Sequence, residues 1–227
     1  MKINFGTKAA TLSALQGVIR YAMVCECCFF TVREWGEAQA DWVGRIRKQF
    51  APGRIIVRSS ALNEDGGTAS MAGVYHSVKD VDSNSAAAVA AAVGEVIASY
   101  GADHPDGNEI LVQPMIADVS MSGVVFSHDL NTGAPYYVVN YDDETGLTDT
   151  VTSGTTDTSR TLLIHRAHVD RLQSPRFRAL IRSVQEIEAL SASPGVDLEF
   201  AVTRDEKIYI FQVRRMAVSQ NWNRDVT

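Results

Sequence analysis

The sequence has few cysteines, no excess of basic charge and no long apolar run, and each shortage removes a class of protein. Only Cys25, Cys27 and Cys28 occur among 227 residues. A structural zinc site ordinarily takes four ligands with CxxC-type spacing, and there is no second cluster to complete one. Cys25 and Cys27 fall on one face of a single apolar stretch, too close along one strand for an easy disulfide. Packing as small hydrophobes is the expected role. Lys and Arg number 21 against 27 Asp and Glu, a net charge of −6. A general nucleic-acid surface wants the opposite balance, so any bound polyanion must be met locally. The longest apolar run, Ala86 to Val93, is mostly alanine and far below the roughly 20 residues that span a bilayer. No membrane span is expected. Residues 1–25 lack the charged, apolar and small-residue blocks of a secretory signal, which makes a cytoplasmic location the expectation. The chain also lacks a Walker lysine after a glycine loop and a GxGxxG fingerprint. P-loop and Rossmann sites are therefore disfavoured.

At 45% apolar content the chain can bury a sizeable core, as one large domain or two small ones. A first helix is predicted from Thr7 to Gln16, capped by Thr7 and stopped by Gly17, with Leu12 and Leu15 inward. Lys8 falls in its first turn, where a cation opposes the helix dipole. It either points into water or has an anion close by. A strand near Cys25–Val32, a helix near Ala38–Phe50 and the apolar strand Arg54–Arg58 follow. After the loop 59–73 come a strand at Val74–Val78 and a helix at Ser83–Tyr100, with Gly101 as stop. The stretch Ala102–Asn108 has linker composition, and the boundary between an N-terminal part, 1–108, and a β-rich part, 109–227, is placed there. Strands are predicted at Ile110–Ile116, Ser122–Ser127, Tyr136–Tyr141 and Arg160–Arg166. A helix capped by Ser174-Pro175 then buries Phe177, Leu180, Ile181, Val184 and Ile187.

The last predicted hairpin carries the most chemistry. Asp197 and Glu199 share one face of the first strand and Gln212 and Arg214 one face of the second, since side chains two apart point the same way. A loop of Arg204–Lys207 pairs Thr203 with Ile208, Glu199 with Gln212 and Asp197 with Arg214. Ile208 and Ile210 then fall on the charged face. Taken alone, the pattern favours a surface hairpin whose wet face holds an ion pair; a magnesium–phosphate floor is the alternative. The loop 59–73 is equally two-sided. Its glycines, including Gly66 and Gly67, and its small hydroxyl residues Thr68 and Ser70 let backbone amides approach a phosphate. Ordinary flexible loops share that composition. Arg58, ending the strand before it, can supply the fixed charge that phosphate recognition favours.

Beyond spacing, Ile56-Val57-Arg58-Ser59-Ser60-Ala61, Glu64-Asp65 and Ala69-Ser70-Met71-Ala72-Gly73 resemble the VRSSAT..ED...SFAG run of the nucleotide domain in phosphoenolpyruvate synthases and pyruvate phosphate dikinases. Val112-Gln113-Pro114-Met115-Ile116 is similar to that family's VQ.MV, and Ser122-Gly123-Val124-Val125-Phe126 through Thr132-Gly133 to SGVxFTxDPxTG. Gly6-Thr7-Lys8-Ala9-Ala10-Thr11-Leu12 resembles GGKAxxL; Asp197-Leu198-Glu199 and Gln212-Val213-Arg214 resemble DIEW and QxRP. These matches fall in family order over nearly the whole chain. Departures are Gly146-Leu147-Thr148-Asp149 in place of GLGE, Val24–Phe29 in place of VPxGF, and Leu130 in place of a proline.

The resemblance implies an α+β, ATP-grasp fold of two subdomains with the nucleotide cleft between them, and ATP and magnesium as cofactors. It assigns Lys8 and Arg58 to the ATP phosphates, with Gly66, Gly67, Thr68 and Ser70 closing over them, and Gln113, Met115 and Ile116 to the adenine strand. Glu199, Gln212 and Asp197 would hold magnesium, Gln212 the nucleotide as well, and Arg58, Arg214 and Asp197 would be catalytic. The implied reaction passes the β-phosphoryl group of ATP to a carrier histidine, leaving AMP and phosphate. His76, His104, His128, His165 and His168 all lack the TxGG-like setting of that histidine. The carrier is thus expected on a phosphohistidine domain outside this sequence, with a small-molecule acceptor such as glutamine or pyruvate. Rifampicin phosphotransferases and glutamine kinases are relatives of this kind. A nucleotide-sensing module without transfer, and an ATP-grasp ligase forming acyl phosphate and ADP, are the alternatives.

Overall fold

Strands form where apolar residues alternate, and helices where the apolar period lengthens, so that two antiparallel sheets acquire one helix-covered face each. The computed structural model describes residues 2–62, 76–102, 105–146, 159–216 and 218. Its elements are α1 (Lys8–Leu15), β1 (Cys28–Thr31), α2 (Val32–Phe50), β2 (Arg54–Ser60), β3 (Ser77–Asp82), α3 (Ala86–Ser99), β4 (Glu109–Pro114), β5 (Val119–Phe126), β6 (Tyr136–Asp142), β7 (Arg160–His165), α4 (Pro175–Ser191), β8 (Val196–Thr203) and β9 (Ile208–Arg215). The α+β class expected from the sequence is observed. The chain divides into two units. One comprises Gly6–Ser13 and Cys25–Ile116, the other Met1–Phe5, Ala14–Val24 and Ala117–Thr227.

In the unit containing residues 25–116 the sheet order is β1-β4-β2-β3, and every pairing is antiparallel. Cys28, Phe30, Ile55, Val57, Val81, Ile110 and Val112 pack against Trp35, Val43 and Ile46 of α2 and Val89, Val93 and Val96 of α3. Side chains alternate along a strand, which turns Ile56, Arg58, Ser60, Glu109, Leu111 and Gln113 to the opposite face. The strand expected to open the second half therefore belongs here. The Pro105–Gly107 segment read as a linker is a turn into β4, held where Asn108 N donates to Pro105 O and Val32 N to Asn108 O, each at 2.9 Å. α2 begins six residues before the expected Ala38. Thr31 and Glu34 cap it reciprocally, and the non-helical backbone of Ala38 (φ −144°, ψ 43°) interrupts it. The start expected at Ala38 coincides with that interruption. α3 starts at Ala86 rather than at the expected Ser83, with Ser85 as its cap accepting from Ala88 N at 3.2 Å.

In the unit containing residues 117–227 the order is β7-β6-β5-β8-β9. α4 packs by Leu180, Ile181, Val184 and Ile187, all fully buried, and its Phe177 ring meets Tyr141 of β6 edge-on. Tyr137, Val139 and Tyr141 thus lie on the helix-covered face, together with Val125, Leu198 and Phe200 across the register. Gly123 has to be glycine. A Cβ there would sit 2.0 Å from Asn140 O and 2.8 Å from Tyr141 Cα.

Candidate functional site

Two sets of polar side chains stand on the sheet faces turned away from the helices, one in each unit. In the first, Lys8 opens α1 and is only 3% exposed, its Nζ donating to Ser59 O at 3.2 Å. The α1 start is fastened to the end of β2. Ala9 N donates to Ser60 Oγ at 3.0 Å and Ala10 N to Thr7 Oγ1 at 3.2 Å. Both hydroxyls in turn donate to Glu109 Oε2, Thr7 at 2.5 Å and Ser60 at 3.2 Å. Tyr100, just past α3, donates from its hydroxyl to Glu109 O at 2.5 Å and accepts from Ser60 N at 3.0 Å. Next to this knot, Arg58 is opposite Leu111, and two residue pairs further along, on the same face, Ile56 is opposite Gln113.

Gln113 is 2% exposed, and neither its Oε1 nor its Nε2 has a hydrogen-bond partner among the described residues. A buried amide left in that state costs about 1–3 kcal/mol. Beyond β4, Met115 N donates to Arg54 O at 2.8 Å, so that amide serves the fold. Ile116 is half-buried and ends its unit. Lys8, Arg58 and Gln113 thus belong to one unit, whereas the sequence reading puts Gln113 in the β-rich part that follows residue 108. Gly66, Gly67, Thr68 and Ser70 lie outside the described residues.

In the second set, Glu199 is opposite Gln212 and Asp197 opposite Arg214, the predicted partners. The route to that register differs. Val202, not Thr203, pairs with Ile208, and Phe200 with Ile210, before the register shifts between Phe200 and Glu199. Phe211 is the extra residue of this bulge. A bulge re-aims the side chains beyond it, which returns Ile208 and Ile210, 4% and 0% exposed, to the core face. The charged face therefore does not hold them. On the face opposite α4, Asp197 and Glu199 are followed across the sheet by Phe126 with Val138 and by Val124 with Asn140. Asn140 Oδ1 accepts from Thr161 Oγ1 at 2.8 Å. Gln212 is 1% exposed, and Asp197, Glu199 and Arg214 are half-buried.

Two carboxylates on alternate positions of one strand, with an amide oxygen opposite, are hard oxygen donors of the kind magnesium takes. Magnesium is commonly held by one or two carboxylates plus substrate phosphates rather than by an all-protein cage. Among the described residues no group of three or more His, Cys, Asp or Glu side chains is arranged to hold a metal ion by itself. The other motif positions serve the fold. Asp129 Oδ1 accepts from Thr132 N at 2.8 Å and Thr132 Oγ1 at 2.7 Å, closing the turn in which Gly133 has φ 74°. These hydrogen bonds hold the Asp129 carboxyl below the usual carboxylate range. Cys25 and Cys28 are buried, and burial first, then the neighbouring Cys27, pushes both thiols up to about 11. Packing residues are what they are. Sequence reasoning missed Thr7, Ser60, Tyr100 and Glu109 as a group. Its one signal is the period of two that puts Glu109 on the face of Leu111 and Gln113.

No helix among the described residues is long and apolar enough to cross a membrane. No protein-family profile matches the chain, and no curated protein matches it. Among solved structures, it is similar to D-alanyl-alanine synthetase A from Vibrio cholerae at 13% identity and TM-score 0.48, over 86% of this chain and 50% of that one. It is also similar to the VanG D-Ala:D-Ser ligase from Enterococcus faecalis, at 14% identity and TM-score 0.48 over 95% and 53%. A D-alanine-D-alanine ligase from Coxiella burnetii aligns at 15% identity and TM-score 0.44 over 96% and 53%. The chain spans about half the length of these structures.

Proposed function

We propose that this chain is an ATP-grasp nucleotide-binding unit that takes ATP with magnesium for phosphoryl transfer. Lys8 and Arg58 hold phosphate oxygens, Gln113 and the Met115–Ile116 segment meet the adenine, and Asp197 and Glu199, with Gln212, take the magnesium. Arg214 adds positive charge next to Asp197. The observation that carries this reading is the buried Gln113 amide, whose two polar atoms lack partners, on the same sheet face as Arg58. A bound base satisfies such an amide. Phosphoryl transfer asks a protein for position and for charge that offsets the phosphates, and the two polar sets supply residues of both signs. Magnesium, when bound, neutralises phosphate oxygens; the chain's own part is to fix donors and acceptors around them.

The reaction that follows binding has two forms. In the one implied by the family resemblance, a histidine on a separate carrier takes the β-phosphoryl group and AMP and phosphate are released. In the other, a carboxylate takes the γ-phosphoryl group and ADP is released, as fits a ligase of the kind named in the similar solved structures. Binding is tested by calorimetry of ATP with magnesium on the intact chain, on Arg58→Ala and on Glu199→Ala. Affinity should fall at least about tenfold in each, as for loss of a charge-assisted contact. Unchanged affinity in both removes the proposal. Nucleotide analysis after incubation with a histidine carrier domain or with carboxylates then separates the two forms, AMP marking the first and ADP the second.

A further inference from the structure

We propose that Glu109 is a positioning residue that sets Lys8 through the two hydroxyls it orders. Glu109 Oε2 accepts from both Thr7 Oγ1 and Ser60 Oγ, at 2.5 and 3.2 Å. A hydroxyl has a single proton to donate. With that proton committed to Glu109, each oxygen turns lone pairs towards α1, where Ala10 N donates to Thr7 Oγ1 and Ala9 N to Ser60 Oγ. Two of the four backbone amides that a helix start leaves without intrahelical partners are satisfied in this way. Lys8 lies between the cap and Ala9, and its Nζ reaches Ser59 O, the carbonyl directly before Ser60.

The backbone of Glu109 is held as well, since its carbonyl accepts from the Tyr100 hydroxyl, to which Ser60 N also donates. The carboxylate therefore starts from a fixed point and ends on the helix that carries Lys8. It also offsets the positive end of α1, where Lys8 is otherwise a cation against the helix dipole. The role rests on the nucleotide reading only for its consequence. The placement of Lys8 can be read without nucleotide.

The test has two arms on the intact chain. In the first, amine acylation by acetic anhydride is followed at Lys8 by peptide mass spectrometry, with exposed Lys48 as internal reference. Glu109→Ala should raise Lys8 labelling by at least about fivefold, and Glu109→Gln, which keeps an acceptor oxygen, should stay within about twofold of the parent. Glu109→Asp, one methylene too short for both hydroxyls, repeats the Ala result should the Ala variant not fold. Lys8 labelling unchanged in folded Ala or Asp variants overturns the proposal. In the second arm, Glu109→Ala is combined with Lys8→Ala and binding of ATP with magnesium is measured. Coupling through Lys8 predicts that the double variant binds no more weakly than Lys8→Ala alone, whereas additive losses overturn it. A parent chain that fails to bind ATP overturns the nucleotide reading and leaves the first arm to decide the place of Glu109.

Discussion

At the scale of single residues, stability and binding pull against one another at Gln113. Its amide is buried with neither polar atom partnered among the described residues, a cost of about 1–3 kcal/mol that an apolar side chain of similar size avoids. Gln113→Leu should therefore raise the thermal midpoint of the nucleotide-free chain, while the further rise that ATP with magnesium produces in the parent should shrink or vanish. Differential scanning fluorimetry with and without nucleotide checks both. A variant that is less stable without nucleotide, or that keeps the full ligand-induced rise, removes Gln113 from the base contact. Gly123 shows the opposite case, a motif residue whose demand is steric. The carbonyl of Asn140 leaves no room for a Cβ, so its place in the SGV run belongs to sheet packing. Sequence alone does not separate these two kinds of motif residue, because both the orphaned amide and the crowded Cα are defined by strands far away in the chain.

Elements were legible where their signals are local. Ser174 before Pro175 marks the start of α4, accepting from Phe177 N, and the apolar period that follows is the buried face. The final hairpin was legible in its outcome but not in its path: counting back from a Arg204–Lys207 loop finds Glu199 against Gln212, although a bulge at Phe211 is what brings them level. A bulge adds one residue without a composition signal when that residue is an ordinary aromatic. α2 was half legible. Its capping box, with Glu34 N donating to Thr31 Oγ1 at 3.1 Å and Thr31 N donating to Glu34 Oε2 at 2.7 Å, is written in the T-x-x-E spacing that the apolar reading of Cys25–Val32 as one strand covered over. The hydrogen bond from the Thr31 backbone, then that from its hydroxyl, holds the Glu34 carboxyl below its ordinary value. A depressed folded value means that Glu34 contributes stability above the unfolded carboxylate range and loses it as pH falls through the folded value. Thr31→Ala should cost about 1 kcal/mol at pH 7. Glu34→Gln should flatten the acid limb of stability without removing the box, since the amide oxygen still accepts. Urea unfolding at pH 7 and at pH 3 measures both, and identical acid limbs for parent and Glu34→Gln would show that the carboxylate is not involved.

At the scale of the whole molecule, the boundary expected after Asn108 falls short by one strand because β4 finds its partners in β1 and β2. Neither partner can be told from the composition of Glu109–Pro114, and the Pro-Gly character of the turn before it resembles a linker. The second surprise is that the unit of residues 117–227 draws on the N-terminal stretch. Met23 N donates to Ile208 O at 2.8 Å and Ile210 N to Met23 O at 2.9 Å, and Ile3 N donates to Leu190 O at 2.9 Å. Ser183 Oγ donates to Tyr21 O at 3.0 Å, and Glu186 Oε2 accepts from Arg20 N at 2.8 Å. Met23 thus extends the five-stranded sheet beside β9 as a parallel bridge, covering main-chain groups that an edge otherwise exposes. A fragment of residues 117–227 alone leaves those groups and the buried Ile3, Leu15 and Ala22 contacts unmade. Joining residues 14–24 to its N-terminus through a flexible Gly/Ser linker should raise the thermal midpoint by at least about 5 °C, the shift that roughly 1 kcal/mol produces in a domain near 100 residues. Circular dichroism melts of the two fragments decide this, and a linked Met23→Pro version, which cannot donate to Ile208 O, should give back part of the gain. Equal midpoints for the bare and linked fragments would mean that the unit is complete without its N-terminal edge.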